Sequence, residues 1–158
     1  MPDFGWPSGW WLRYRPATMT RRVPQEWNDD FPDGPGLVFV ATARLPDWPT
    51  VAGTLRDAYE CSKETAGKGE SIVYVVHNDD LLGRRGAPAA MVATGLLSAG
   101  RTLALEVAKQ GASVNVVAIE DDTPVGDVAR WCDVLLHGAT PTGELIHLGR
   151  GHIGKALA

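Results

Sequence analysis

From residue 36 onward, short apolar runs rich in β-branched residues alternate with longer segments whose apolar residues recur every three or four positions. The run 37–41, Leu-Val-Phe-Val-Ala, lies between Gly36 and the segment 44–46. It predicts a strand buried on both faces, because a parallel strand covered by helices has no polar side. Pro49 then opens a helix, along which Val51, Leu55, Ala58, Tyr59 and Ser62 make one stripe, and Gly67 and Gly69 end it. A second all-apolar strand is predicted at 72–76, followed by a polar loop with Asn78, Asp79, Asp80, Arg84 and Arg85. Pro88 starts a long helix that Gln110 and Gly111 close. Between them only Arg101, Glu106 and Lys109 are charged, so this helix is apolar nearly all round and must be covered on two sides. A strand at 114–119, a helix at 125–137 and a final strand at 142–148 complete the pattern. The alternation predicts an α/β domain with a mostly parallel sheet of about four strands and helices on both faces.

Residues 1–34 break with this pattern. Trp6, Trp10, Trp11, Tyr14, Trp27 and Phe31 are interleaved there with prolines, glycines and charges, and no period is sustained. The chain therefore divides into an aromatic, proline-rich arm at 1–34 and a folded domain at 35–158. Such an arm either covers an exposed edge of the domain or reaches a partner subunit through its Trp and Tyr side chains. Composition narrows the partners. The net charge of −4 argues against nucleic acid, since phosphate-binding surfaces need clustered Lys and Arg. Two cysteines, Cys61 and Cys132, fit a reducing cytoplasm better than a disulfide framework. The first 30 residues carry no apolar core of a secretory signal, and the weakly polar run 86–100 is too short and glycine-rich to span a bilayer. A cytoplasmic protein is expected.

Four landmarks give the domain a likeness. They are Ser71-Ile72-Val73-Tyr74-Val75-Val76, Arg101-Thr102-Leu103-Ala104-Leu105-Glu106-Val107-Ala108, Val114-Asn115-Val116-Val117-Ala118 and Thr142-Gly143-Glu144-Leu145-Ile146-His147. The chain from 71 to 151 thereby resembles the C-terminal half of the short-chain dehydrogenase/reductase family. The resemblance implies a core strand, the back half of the helix bearing the active site, the next strand and the last strand. It also places the family's catalytic Tyr and Lys at Ala89 and Ala93, and its serine at or beside His77. The family's asparagine falls near Gly53 or Thr54. None of these substitutes can run the family's proton transfer, in which the tyrosine serves the substrate oxygen and the lysine lowers its pKa. The Gly-rich turn that opens a helix under a cofactor pyrophosphate is absent before residue 71, and Gly34-Pro35-Gly36 precedes a strand instead. The implied fold is a truncated Rossmann-like three-layer αβα domain lacking the N-terminal dinucleotide-binding βαβ unit.

The implied function is that of a catalytically degenerate subunit, binding no cofactor by itself, with NAD(P) held by a catalytic partner. In the resembled family the apolar helix and the helix through Leu55 and Tyr59 build a four-helix bundle with a second subunit. The expected partner is thus a full-length short-chain dehydrogenase or a second copy of the chain. Candidate contacts are Leu55, Tyr59, Leu96, Leu97, Leu103, Ile146 and His152, with Trp6, Trp10, Trp11 and Tyr14 of the arm. Two other readings stay open: altered chemistry using His77 with Asp79 or Asp80, and a small-molecule-binding protein that keeps a pocket above the sheet. The acids Glu120, Asp121 and Asp122 read as a solvated turn rather than a cation site, and His147 and His152 lack a paired ligand motif. No metal site is assigned.

Overall fold

The computed structural model describes residues 20–31, 34–42, 45–138 and 141–150. Their elements in chain order are β1 (Thr20–Arg22), β2 (Leu37–Ala41), α1 (Trp48–Gly67), β3 (Ile72–His77), α2 (Asn78–Leu81), α3 (Ala87–Val107), β4 (Val114–Ile119), α4 (Val125–His137) and β5 (Leu145–Leu148). The five strands are all parallel and lie in sequence order in one sheet. The local reasons match the pattern. Asp47 caps α1 by accepting the Thr50 N–H at 2.9 Å, Pro49 fills the first turn, and Gly69 at φ 70° turns the chain after it. β2 and β4 occupy the predicted residues, and β3 extends one residue further, to His77.

Alternation along the strands divides the core into two layers. Leu37, Phe39, Ile72, Tyr74, Val76, Val114 and Val116 face α1 and α3, where Val51, Val92, Leu96 and Val107 meet them. Val38, Val73, Val75, Val117 and Ile119 face the other way, against Val128, Cys132 and Leu135 of α4. α3 sits closest to the sheet at Gly100, where a β-carbon would come 3.1 Å from Val116 and 3.5 Å from the Tyr74 ring. The Tyr74 hydroxyl, carried into this layer, shares a 2.6 Å hydrogen bond with Ser62 of α1, so its burial leaves no polar group unpaired.

Three features differ from the sequence reading. First, there is a fifth strand, and it comes from the segment assigned to the arm: Thr20, Arg21 and Arg22 pair with Leu37, Val38 and Phe39. Downstream of it Phe31, 4% exposed, enters the α4-side core with Trp27 stacked on it. Residues 20–31 are therefore part of the sheet structure and cover the edge of β2. Second, β5 is shorter than 142–148, because Gly143 at φ 77° still belongs to the turn that leads in. Third, α3 and the 3₁₀ turn after it form one helix, Ala87–Gln110, with a mean hydropathy of 1.2 over an 18-residue stretch, long and apolar enough by itself to cross a membrane. Its Val92, Ala93, Leu96, Leu97, Ala104 and Val107 are buried against the sheet layer, so it is used here as a core helix.

All the connections step the same way across the sheet, yet those after β2 and β3 pass over one face and those after β1 and β4 over the other. Parallel crossovers that step alike on opposite faces have opposite hands. The β2–α1–β3 and β3–α3–β4 units take the right-handed sense that nearly all such units adopt, so the β1–β2 connection and β4–α4–β5 carry the reverse.

Burial predicts a sharp contrast along α3. Leu96→Ala, at a site 2% exposed, is expected to cost about 2–5 kcal/mol in urea unfolding. Leu105→Ala, at a site 80% exposed, is expected to stay within about 0.5 kcal/mol of the parent in the same titration.

Candidate functional site

In open parallel sheets ligands bind in the crevice beyond the carboxyl ends of the strands. Here that end gathers Thr42 after β2, His77 closing β3, Glu120, Asp121 and Asp122 after β4, and the exit of β5. His77 is 5% exposed, and both its ring nitrogens are engaged. Nδ1 accepts the Asp79 N–H at 3.1 Å, capping α2, which leaves the proton on Nε2 to be donated to Asp121 Oδ1 at 2.9 Å. With no free nitrogen, His77 is a strut between β3 and the turn after β4 rather than an exposed base.

Beside it, Asn78 and Asp80 are 4% and 1% exposed. Burial raises the Asp80 carboxyl above the ordinary carboxylate range; Arg85 and His77 pull it back down, while Asp79 and Asp121 add to the rise. Arg85 approaches Asp80 with Nε at 3.4 Å and donates from Nη2 to the Thr42 carbonyl at 3.2 Å, tying α2 to the end of β2. Asn78 Oδ1 and Asp80 Oδ1 have no hydrogen-bond partner among the described residues. The corner thus carries a desolvation cost, offset in part by the charge of Arg85 and by His77.

On the other flank Glu120 accepts the Arg150 N–H at 3.2 Å and lies 3.3 Å from His147 Nε2. A β-carbon at Gly149 would collide with this carboxylate. Thr123 Oγ1 accepts the Glu120 N–H at 2.9 Å and donates to the Leu148 carbonyl at 2.8 Å. The acidic turn is therefore held from both neighbouring strands, by His77 on one side and by the β5 exit on the other. Among the described residues no three His, Cys, Asp or Glu side chains are grouped to hold a metal ion.

At the positions where the resemblance puts the family's catalytic groups, the side chains offer no acid or base. Ala89 and Ala93 are 7% and 1% exposed on the buried side of α3 and carry no proton. Gly53 has only a backbone to offer, and Thr54 spends its hydroxyl on the Thr50 carbonyl at 2.9 Å. On the α4 side a hollow is lined by Phe31, Gly36, Val38, Cys132, Leu136 and His137. Burial pushes the Cys132 thiol up to about 12, which keeps it protonated and removes it as a nucleophile.

The candidate contact residues scatter. Leu96 and Leu97, 2% and 8% exposed, face the chain's own core and are unavailable to a partner. Leu55 and Leu103 are half-buried against the same layer, and Ile146 against the α4-side layer. Tyr59 is 60% exposed on α1. Trp6, Trp10, Trp11, Tyr14 and His152 lie outside the described residues. The outward face of α3 is made instead by Met91, Thr94, Ser98, Thr102 and Leu105. Their spacing follows one helical stripe, but in a helix apolar all round no polar face marks which stripe looks out.

His77→Ala removes a cap and a side-chain hydrogen bond together, and the expected loss is about 1–3 kcal/mol by chemical denaturation. Asp121→Ala, at a side chain 92% exposed, is expected to lose less than half as much. For Asp80 the sign follows from its raised pKa: the folded chain keeps this proton where the unfolded chain has released it, so the group's stabilisation is present at low pH and fades as pH rises through the carboxylate range. Asp80→Asn should consequently gain stability relative to the parent as pH rises from about 3 to about 6 in paired urea titrations; a constant difference would contradict the buried-acid assignment.

No protein-family model and no curated protein matches the chain. Solved structures do. ElxO with NADP bound superposes at a TM-score of 0.59 and 16% identity over 72% of this chain and 64% of that one. Acetoin dehydrogenase YohF from Salmonella typhimurium gives 0.62 and 16% over 71% and 61%. Enoyl-acyl-carrier-protein reductase (NADH) from Aquifex aeolicus VF5 gives 0.62 and 16% over 74% and 61%. The chain spans less than two thirds of the length of each of these structures. At this identity the likeness speaks for the backbone alone, and what it establishes is that the chain has the α/β fold of part of a short-chain dehydrogenase/reductase.

Proposed function

We propose that the protein is a non-catalytic, dehydrogenase-fold subunit that assembles through the outer face of α1 and α3, with a full-length catalytic relative or a second copy, as a structural or regulatory partner. The observation that carries this reading is the replacement of the acid-base pair: Ala89 and Ala93 stand where the resembled family has its Tyr and Lys, and both are packed into the core. His77, the side chain nearest the family's serine position, is consumed by two structural hydrogen bonds. That weighs against the alternative of altered chemistry on the same loop.

The assembly half of the reading rests on the surface that α1 and α3 leave open. Met91 and Leu105 are 46% and 80% exposed on α3, and Tyr59 is 60% exposed on α1. Between Met91 and Leu105 the stripe contains Thr94 and Thr102, whose hydroxyls donate to the Ala90 and Ser98 carbonyls at 2.6 and 3.1 Å. Their polar groups are satisfied inside the helix and need no water, which lowers the cost of drying this face against another helix. The two helices already touch, with Leu55 lying 3.4 Å from where a β-carbon of Gly95 would sit, so they present one continuous ridge. In the resembled family the equivalent pair forms a four-helix bundle with a second subunit. NAD(P) then belongs to the catalytic partner.

The test is native mass spectrometry of the chain co-expressed with a full-length dehydrogenase of the same cell, with NAD(P)H titrated into the sample. A stoichiometric complex that Tyr59→Glu combined with Leu105→Glu disperses is the expected result. Turnover or saturable nucleotide binding by the isolated chain would overturn the non-catalytic reading. An association state unmoved by the paired glutamates would overturn the assembly face.

A further inference from the structure

The described contacts of residues 20–31 with the rest of the sheet are a short ladder and the apolar side chains Val23, Trp27 and Phe31. β1 contributes three residues of parallel ladder. Phe31 plugs the α4-side layer at 4% exposure, with Trp27 stacked at 6.1 Å between ring centroids. Arg22 and Asp57 stand 3.8 Å apart at the surface, where an ion pair contributes little. The segment enters β2 through Gly34, Pro35 and Gly36, and the last of these is fixed in place. Gly36 has φ 106°, and a β-carbon there would lie 2.8 Å from both the Ser71 carbonyl and Leu136. The connection it ends is one of the two that cross with the uncommon hand, and unlike the α4 crossover it contains only a 3₁₀ turn, Gln25–Trp27.

A short strand, one aromatic plug, a tight glycine-proline lead and an unfavourable crossing are the conditions under which an element leaves its own domain for an identical one. The site it leaves behind is not neutral. Without β1, the five apolar residues of β2 become a sheet edge and the Phe31 socket opens. The occupant that fits both at once is the same segment of a second copy, since it restores every contact and enters from another molecule, where the handedness of the crossing no longer applies.

We propose that residues 20–31 are an exchangeable edge segment, and that two copies of the chain form a two-fold dimer by trading β1 and the Phe31 plug. This mode uses the edge of the sheet and is independent of the α1–α3 face. It is read on the full-length chain carrying Tyr59→Glu and Leu105→Glu, so that helix-face association does not contribute. The protein is unfolded in urea, refolded at high concentration, diluted, and followed by sedimentation velocity. A dimer that separates slowly after dilution is expected. Four glycines inserted between Gly34 and Pro35 relax the crossing without touching β1 or Phe31, and should reduce that dimer several-fold while the monomer stays folded. Phe31→Ala removes the same contact from monomer and dimer, so it should speed their interconversion while leaving their ratio close to the parent's. Absence of any dimer in the doubly charged variant overturns the proposal. So does a dimer that persists undiminished through the insertion. Because the charged face is already removed, neither outcome bears on the assembly surface of α1 and α3.

Discussion

The seat of α3 on the sheet is the constraint from which most of the molecule follows. A helix seated by Gly100 against Val116 and the Tyr74 ring has its rotation fixed, since even a β-carbon at that point would crowd Val116 at 3.1 Å. With the rotation fixed, Ala89 and Ala93 face the buried side, and Met91, Thr94 and Leu105 must look outward. One close contact thus decides both which side chains of α3 are buried and which surface it offers. The hydrogen bond between Ser62 and Tyr74 joins α1 to the same contact, so the two helices behave as one layer.

At the carboxyl end of the sheet polar side chains are crowded, and they spend themselves on one another. His77 holds Asp121, Arg85 holds Asp80 and the end of β2, and Glu120 holds the exit of β5. A base poised for chemistry needs an unoccupied lone pair directed at substrate. His77 has none to spare, and the nearby carboxylate that burial perturbs most, Asp80, lies beneath the surface rather than in a cleft.

Much of this was legible in the sequence where apolar pattern and helix signals agree. The limits of β2 follow from an uninterrupted apolar run, those of β4 from a run broken only by Asn115, those of α4 from its apolar stripe, and those of α1 from Pro49 and the glycines after it. The role of residues 20–31 was hidden, because Thr-Arg-Arg has no apolar alternation and becomes a strand only through the β2 edge beside it. The orientation of α3 was hidden for the opposite reason: a helix apolar on every side carries no periodic mark of its exposed stripe. Leu96 and Leu97 read as surface candidates on that account, although the contact at Gly100 turns them inward. His77 was visible as a polar residue at a strand end, but its two partners, one of them 44 residues away, were not.

Asn115 has a role that its neighbours in β4 do not share. It is fully buried, donating from Nδ2 to the Pro141 carbonyl at 2.7 Å and accepting the Glu144 N–H at Oδ1 at 3.3 Å. Along β5, Leu145 packs on the α1–α3 side while Ile146 and Leu148 pack on the α4 side, so a slip of one residue would turn His147 toward the α4-side layer. The same slip would strand both ends of a buried amide. The phase of the sheet's last strand is therefore set twice, once by its apolar residues and once by a polar side chain that a shifted partner could not satisfy.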